Sequence, residues 1–150
     1  MLCIVILSCT ALPCFALDET QQPVIIDTVY PTDDIVIADI IATKAPYNAD
    51  NTGVADSTAA IQKAIDDCAA NGGGTVWLPE GKYRLTGELY IRQFVTLRGE
   101  YQDPDEGTEY GTVIIADVES SSAMTPGLIR IGASAGAVGL TIWYPDQSID

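Results

Sequence analysis

The sequence has 150 residues, the length of one domain, and its 21 acidic and 7 basic residues give a formal net charge of −14. Nucleic acid is therefore not an expected partner, because contacts to phosphates need clustered lysine and arginine. The chain contains no histidine, which excludes from this segment any mechanism that uses an imidazole as base or metal ligand.

Residues 2–16, LCIVILSCTALPCFA, form an uncharged apolar run at the start of the chain. Its length and terminal small residues are typical of a secretory signal, so we predict a signal peptide over residues 1–16, cleaved after Ala16. The run is shorter than the about 20 residues that span a bilayer, so no stable membrane insertion is expected after cleavage. A lipoprotein signal acylated at Cys9 is the alternative, but too little apolar chain precedes it. We expect a secreted, extracellular or surface-associated protein.

The cysteines argue against a disulfide framework. Cys3, Cys9 and Cys14 lie in the predicted signal and leave Cys68 as a lone thiol, so stability has to come from a hydrophobic core. Cys68 lies on the apolar face of the helix described below, which favours a small buried hydrophobe over a nucleophile.

The stretch after the signal is predicted to be extended. Residues 17–35 form a lead-in strand, and the segments PVIIDTVYP and DIVIADIIAT within residues 23–43 have the β-branched composition of two strands. The following segment, KAPYNADNTGVAD (44–56), is predicted to be a loop that runs to a helix cap.

A helical period appears once in the chain. The apolar residues that follow the i, i+3, i+4, i+7 spacing are Ile61, Ala64, Ile65 and Cys68. This pattern predicts a short amphipathic helix over residues 57–70. Asp56 or Ser57 can cap its first turn, and Asn71 with Gly72 can end it through a left-handed residue.

Beyond the helix the period changes to that of strands. The predicted strands are TVWL (75–78), KYRL (82–85), ELYI (88–91), VTLR (95–98), TVII (112–115), GLIRI (127–131) and GLTIWY (139–144). Their close spacing leaves no room for crossover helices, which excludes a doubly wound α/β sheet and leaves a sandwich, a barrel or a solenoid.

Two features favour the solenoid. Only residues 92–94 join two of the strands, without a hairpin dipeptide such as Asn-Gly, so the chain is expected to turn a corner there rather than reverse. An amphipathic helix just before the strands is what a solenoid needs to cover the apolar end of its first coil. The predicted fold class is all-β, with a cap helix followed by the first coils of a solenoid.

Two glycine-containing segments suggest ligand sites at first sight. Asp50 and Asp56 lie in a loop that resembles a calcium loop, but the ligand spacing of an EF-hand is missing, and a turn with a helix cap is favoured. The glycines of GGGT (72–75) follow a helix, whereas phosphate-binding loops precede one, so no phosphate site is predicted.

Carboxylates and aromatic residues supply the remaining candidates. Asp103, Asp105 and Glu106 form an acidic cluster that could hydrolyse a glycosidic bond, but a flexible loop does not hold such a pair rigidly, and a solvated turn is favoured. The aromatic residues that could stack on sugar rings if they point outward are Trp77, Tyr83, Tyr90, Trp143 and Tyr144. Core packing is the favoured role for these strand aromatics.

The segments DNTGVADSTAAIQKAI, GGGTVWLPEGKYRL and VTLRGE together resemble the N-terminal signature of the pectate lyase superfamily. The resemblance covers about residues 36–100 and includes polygalacturonase-like, rhamnogalacturonase-like and epimerase-like proteins. It implies a right-handed parallel β-helix over residues 36–150 that continues past the end of this sequence. These motifs build the cap and first coils, so they indicate the fold and not the reaction.

By the same resemblance, the full-length protein is expected to act on a polysaccharide, most plausibly a pectin-like polyuronide, by hydrolysis or β-elimination. Its catalytic residues are expected beyond Asp150, and this segment alone is expected to be inactive and to hold no cofactor or metal. An acidic protein of this class can recruit Ca²⁺ in its full-length form. The oligomeric state is left open.

A non-catalytic β-helix that binds glycans or serves as a surface adhesin or spike is the alternative. A viral tailspike is a third interpretation, which the predicted export signal argues against.

Overall fold

The computed structural model describes residues 24–27, 35–103, 105, 107–118 and 127–146. The predicted signal peptide, with Cys3, Cys9 and Cys14, lies outside these residues. No helix in the described ranges is long and apolar enough to cross a membrane.

Twelve strands and one helix make up the described part of the chain. They are β1 Val24–Asp27, β2 Ile35–Ala38, β3 Ile40–Ile41, β4 Thr52–Asp56, α1 Thr58–Ala70, β5 Gly74–Leu78, β6 Gly81–Leu85, β7 Leu89–Ile91, β8 Val95–Gly99, β9 Thr112–Ala116, β10 Ile129–Ile131, β11 Gly136–Val138 and β12 Thr141–Trp143. The predicted helix and the predicted strands between residues 75 and 131 are confirmed within two residues at each end. The loop prediction for 44–56 is wrong over β4; the predicted strand at 139–144 is confirmed as β12, and β11 was not predicted.

The strands after residue 39 form three parallel sheets. The first sheet has the order β11-β8-β5-β3, the second β12-β9-β6-β4, and the third contains β10 and β7. The chain visits the sheets in turn, so each strand pairs with the strand one coil earlier; Trp77, for example, lies beside Arg98. This is the parallel β-helix predicted from the sequence.

Side chains alternate between the inside and the outside of the coils. In β8, Val95, Leu97 and Gly99 are buried while the residues between them are partly exposed. The inward-facing residues form one continuous core that also includes the apolar face of α1. The polar residues Ser57 and Thr112 are buried and satisfied: Ser57 donates to the Asp50 carbonyl at 2.8 Å, and Thr112 donates to the Leu78 carbonyl at 2.8 Å and accepts from the Glu100 amide at 2.8 Å.

Helix α1 replaces the third strand of the first coil. Its residues Ile61, Ala64, Ile65 and Cys68 are fully buried, as the spacing predicts. The helix packs against β7, β5, β8 and β3. It therefore covers the end of the core, at the position next to β7 where a strand of an earlier coil would otherwise lie. The role of a cap over the first coil is therefore confirmed.

The three glycines after α1 allow the chain to pass from helix to strand. Gly72 has a φ of 102° and its amide donates to Ala69, while Gly73 donates to Cys68, which is the Schellman arrangement of a helix end. A Cβ on Gly73 would lie 2.4 Å from the Phe94 carbonyl oxygen, so backbone passes too closely there for any side chain. Gly72 has open space around the same position.

The segment between β7 and β8 is a corner, as predicted. Phe94 has a left-handed φ of 63°, which turns the chain from the third sheet into the first. Ser134 lies at the equivalent corner one coil later and has a φ of 53°.

The first two strands differ from the rest because they form an antiparallel hairpin outside the coils. β1 and β2 pair from Val24 with Ala38 to Asp27 with Ile35. Ala38 of the hairpin packs against Trp77, on the outer face of the first sheet, and leaves that indole only 2% exposed. The hairpin therefore buries a side chain that the parallel coils alone would leave on the surface.

We expect Gly73→Ala to destabilise the protein more than Gly72→Ala does. Both residues have positive φ, so an alanine at either position should lower the free energy of unfolding by about 1 kcal/mol. Only at Gly73 would the new Cβ also clash with Phe94, which should lower it by about 2 kcal/mol more. Urea unfolding of both variants measures the difference. Equal losses would show that the close approach of the two segments is not a constraint on the fold.

Candidate functional site

Tyr90 lies between two arginines on the outer face of the third sheet. Its neighbours in β7, Leu89 and Ile91, are buried, so Tyr90 points outward. Arg130 of β10 is its register partner one coil later, and Arg92 follows β7 directly. The guanidinium carbons of Arg92 and Arg130 lie 4.7 Å and 4.6 Å from the centre of the Tyr90 ring. We call Tyr90, Arg92 and Arg130 the Tyr90 cluster.

An acidic residue holds each arginine of the cluster by its Nε atom. Arg92 Nε donates to Asp66 Oδ1 at 2.6 Å, and Arg130 Nε lies 2.7 Å from Glu88 Oε1. The Arg130 contact is an ion pair whose angles do not meet hydrogen-bond geometry, since Glu88 Oε1 is buried without a hydrogen-bond partner. In both arginines the acid contacts the Nε atom, and each guanidinium has a further end formed by its two Nη groups. That end is suited to a bidentate bond with a carboxylate.

The ion pair between Arg92 and Asp66 shifts both groups toward their charged forms. The hydrogen bond from Arg92 is the largest cause of a lowered pKa at Asp66, ahead of the opposing effect of burial. The same bond raises the pKa of Arg92. Both groups are therefore ionised at neutral pH.

Gln62 joins α1 to the free edge of β7. Its side-chain oxygen accepts from the Tyr90 amide at 2.8 Å, and its side-chain nitrogen donates to the Tyr90 carbonyl at 3.1 Å. The side-chain amide thus makes the two bonds that a neighbouring strand would make. The same nitrogen donates to Asp66 Oδ1 at 3.0 Å, which connects this anchor to the ion pair.

A shallow open depression of about 500 Å³ lies beside the cluster. Asp66 and Ala69 of α1 line one side, and the segment from Tyr90 to Phe94 lines the other. Phe94 is 56% exposed there and gives the depression an apolar wall next to the Arg92 guanidinium. A concave surface with an apolar wall and a few fixed polar groups is the usual form of a small-ligand or sugar site.

The carboxylates of the loop before α1 are engaged by the chain itself. Asp50 accepts from the amides of Val54 and Ala55 at 3.1 Å and 2.8 Å, and hydrogen bonds from Thr52 are the largest cause of its lowered pKa. Asp56 accepts from the Thr58 amide at 3.0 Å and caps α1. The predicted cap is confirmed, with Asp56 rather than Ser57 providing the side-chain bond, whereas the predicted turn is wrong over β4.

The glycine segment and the acidic loop likewise have structural roles. The Thr75 amide in GGGT donates to Asp39 Oδ2 at 2.7 Å, so the chain's own carboxylate occupies the position that a phosphate would take. Asp103 and Asp105 are exposed, and Asp103 accepts from the Asp105 amide at 3.0 Å, as in a solvated turn. Glu106 lies outside the described residues.

The aromatic candidates divide between core and surface. Trp77 and Tyr83 are buried, as favoured from the sequence, and Trp143 and Tyr144 are each 42% exposed. Tyr90 points outward, but its ring is already in contact with two guanidiniums and is not a free platform for a sugar.

Cys68 behaves as a buried hydrophobe. The side chain is 1% exposed, and burial raises the pKa of its thiol to about 11. A thiol with that pKa contains almost no thiolate at neutral pH, so the prediction that Cys68 is not a nucleophile is confirmed.

Sequence reasoning missed the two arginines of the Tyr90 cluster. They are 38 positions apart in the sequence, and only the register of β7 against β10 brings them together. The sequence signal that could have identified them is the presence of basic residues at or next to outward-facing strand positions, in a chain with few basic residues.

In the described part of the chain, no group of three or more His, Cys, Asp or Glu residues converges as a metal site would require. The prediction that catalytic residues lie beyond Asp150 concerns chain outside these residues and stays a prediction.

Comparisons with known proteins agree on one family. A family model described as rhamnogalacturonase A/epimerase, pectate lyase-like, matches residues 45–127. The solved A-module of the Azotobacter vinelandii mannuronan C-5 epimerase AlgE6 aligns with a TM-score of 0.54 and 33% identity, covering 69% of this chain and 28% of that one.

Two further A. vinelandii proteins are similar over a shorter stretch. The mannuronan C5-epimerase AlgE5 is 58% identical over 41 residues, which cover 27% of this chain and 4% of the relative. Alginate lyase 7 is 51% identical over 41 residues, which cover 27% and 5%. The chain therefore spans only a small part of the length of the curated relatives that it matches.

We expect Gln62→Leu to destabilise the protein by about 2 kcal/mol, because it removes two hydrogen bonds to the edge of β7 at similar volume. Lys63→Leu, at an exposed position of the same helix, is the control and should change stability by less than about 0.5 kcal/mol. Thermal and urea unfolding test both variants. A Gln62→Leu variant as stable as the control would contradict the role given to this side chain.

Proposed function

Since the chain belongs to the rhamnogalacturonase A/epimerase family of pectate lyase-like proteins, we propose that the protein acts on a polyuronide and that the Tyr90 cluster binds its carboxylates. The observation that supports this most directly is the pair of guanidiniums over the Tyr90 ring, each contacted by an acid at its Nε atom. The relatives are named as enzymes of mannuronan and alginate, and these names support a polyuronide as the substrate.

The charge distribution favours an acidic polymer bound at this cluster. With a net charge of −14, most of the protein repels a polyanion, so two fixed guanidiniums on its surface, although each is paired with an acid, would determine where a polyanion binds. Arg92 and Arg130 lie on successive coils, which are about 4.8 Å apart in a parallel sheet.

Of the two reactions expected from the sequence, hydrolysis and β-elimination, only elimination fits the names of the relatives, which add epimerisation as a further candidate. Inverting C5 of a uronate requires removal of the proton on C5 from one face and delivery of a proton to the opposite face. An elimination catalysed by a lyase on the same sugar also begins at that carbon. An arginine bound to the adjacent carboxylate would stabilise the negative charge that develops there. The Tyr90 cluster supplies binding and charge, and the base is expected elsewhere in the protein.

We further propose that the protein works outside the cell, on the basis of the apolar N-terminal run. An acidic, extracellular protein that degrades or remodels uronates meets its polymer after export. Detection of the mature protein in the culture medium, beginning at residue 17, tests this step.

We expect the chain to bind an oligomannuronate with an affinity that Arg92→Ala and Arg130→Ala each lower by about tenfold, since a charge-assisted bidentate bond is lost. Arg84→Ala is the matched control, because Arg84 is also ion-paired and lies on the outer face of another sheet. Calorimetry with oligomannuronate, oligogalacturonate and a neutral mannan oligomer measures the effect. Equal affinity for the neutral oligomer, or no loss in either arginine variant, would contradict the proposal.

The full-length protein tests the reaction. Exchange of the C5 proton in D₂O, followed by NMR, reports epimerisation, absorbance at 235 nm reports elimination, and reducing ends without absorbance report hydrolysis. Binding without any of the three would support the alternative of a non-catalytic glycan-binding protein. The ion pairing of both carboxylates at the cluster, Asp66 and Glu88, is the observation that favours this alternative.

A further inference from the structure

We propose that Asp66 of α1 is a positioning residue, which holds Arg92 over Tyr90 so that its Nη end binds a polyuronide carboxylate. The inference rests on the proposed function and extends it to the helix that caps the β-helix. Helix α1 then has two roles: its apolar face covers the core, and the neighbouring face, which carries Asp66, orients Arg92.

The contacts around Asp66 form a closed chain that begins and ends at Tyr90. The backbone of Tyr90 holds the side-chain amide of Gln62 through two hydrogen bonds. Gln62 donates to Asp66 Oδ1 at 3.0 Å, and Arg92 Nε donates to the same oxygen at 2.6 Å. The Arg92 guanidinium then returns to the Tyr90 ring at 4.7 Å. Arg92 is thus fixed relative to β7 although it lies beyond the last residue of that strand.

Positioning and simple charge neutralisation predict opposite effects. An arginine side chain has many rotamers, and fixing it before binding removes an entropy cost that the ligand would otherwise meet. As a mere counter-charge, Asp66 would instead weaken the attraction of Arg92 for an anion. Removing Asp66 therefore lowers the affinity in the first case and raises it in the second.

Three variants separate these roles. Asp66→Ala removes the acceptor, and Asp66→Asn removes the charge but keeps an oxygen that can accept from Arg92 Nε. Asp67→Ala is the matched control, because Asp67 lies on the same helix with a similar exposed fraction, 38% against 42%, and pairs with Lys63 instead. The probe is an oligomannuronate, and its affinity is measured by calorimetry at low salt.

We expect Asp66→Ala to lower the affinity about fivefold and Asp66→Asn to recover most of that loss. In an Arg92→Ala background, Asp66→Ala should have no further effect, because the residue that it positions is absent. Asp67→Ala should leave the affinity unchanged or slightly raised. Should Asp66→Ala not fold, Asp66→Ser, which is too short to reach Arg92, replaces it with the same expected loss.

Three outcomes would overturn the inference. Tighter binding by both Asp66 variants would show that Asp66 acts only as a counter-charge. Additive losses in the double variant would show that Asp66 does not act through Arg92. Intact binding in Asp66→Ala, together with a loss in Arg92→Ala, would remove the positioning role but leave the proposed function in place. A wild-type chain that binds no oligouronate would overturn both.

Discussion

The hydrogen bonds between the Gln62 side chain and the Tyr90 backbone satisfy a constraint on which the rest of the structure depends. A stack of parallel coils ends in apolar side chains and in strand edges whose amides and carbonyls need partners. At the first coil α1 meets both needs, because Ile61, Ile65 and their neighbours cover the core while Gln62 pairs with the edge of β7. The glycines that follow let the chain leave this position directly into β5.

The candidate site follows from the same arrangement. Because α1 lies against β7, its polar residues face the segment that continues from that strand, and Asp66 reaches Arg92. The register of β10 on β7 then adds Arg130 from the next coil. In an acidic protein these contacts fix two guanidiniums, each paired with a carboxylate, at a defined place, and under the proposed function they would orient a polyanion.

Much of the fold could be predicted from the sequence because local patterns determine it. The spacing of Ile61, Ala64, Ile65 and Cys68 predicts the helix and its buried face, and the absence of a hairpin turn before Val95 predicts the corner. β4 was missed because Thr52–Asp56 is polar and mostly exposed, and it is a strand only because it pairs with β6. The Tyr90 cluster was missed for a similar reason, since register between coils is a tertiary property that no short pattern contains. Trp77 is buried as predicted, but it lies on the outer face of the first sheet under the hairpin and not inside the coils, because the hairpin could not be predicted to cover it.

Native-state hydrogen exchange at the Tyr90 amide tests the central claim most directly, because this amide donates to a side chain of α1 instead of to a strand. If α1 completes the third sheet, the Tyr90 amide should open with a free energy within about 1 kcal/mol of the amides of α1 and of β8 in the core, as one cooperative unit. If the Tyr90 amide exchanges far faster than the amides of β8, while those of β8 stay protected, α1 does not complete the third sheet and only packs against the coils.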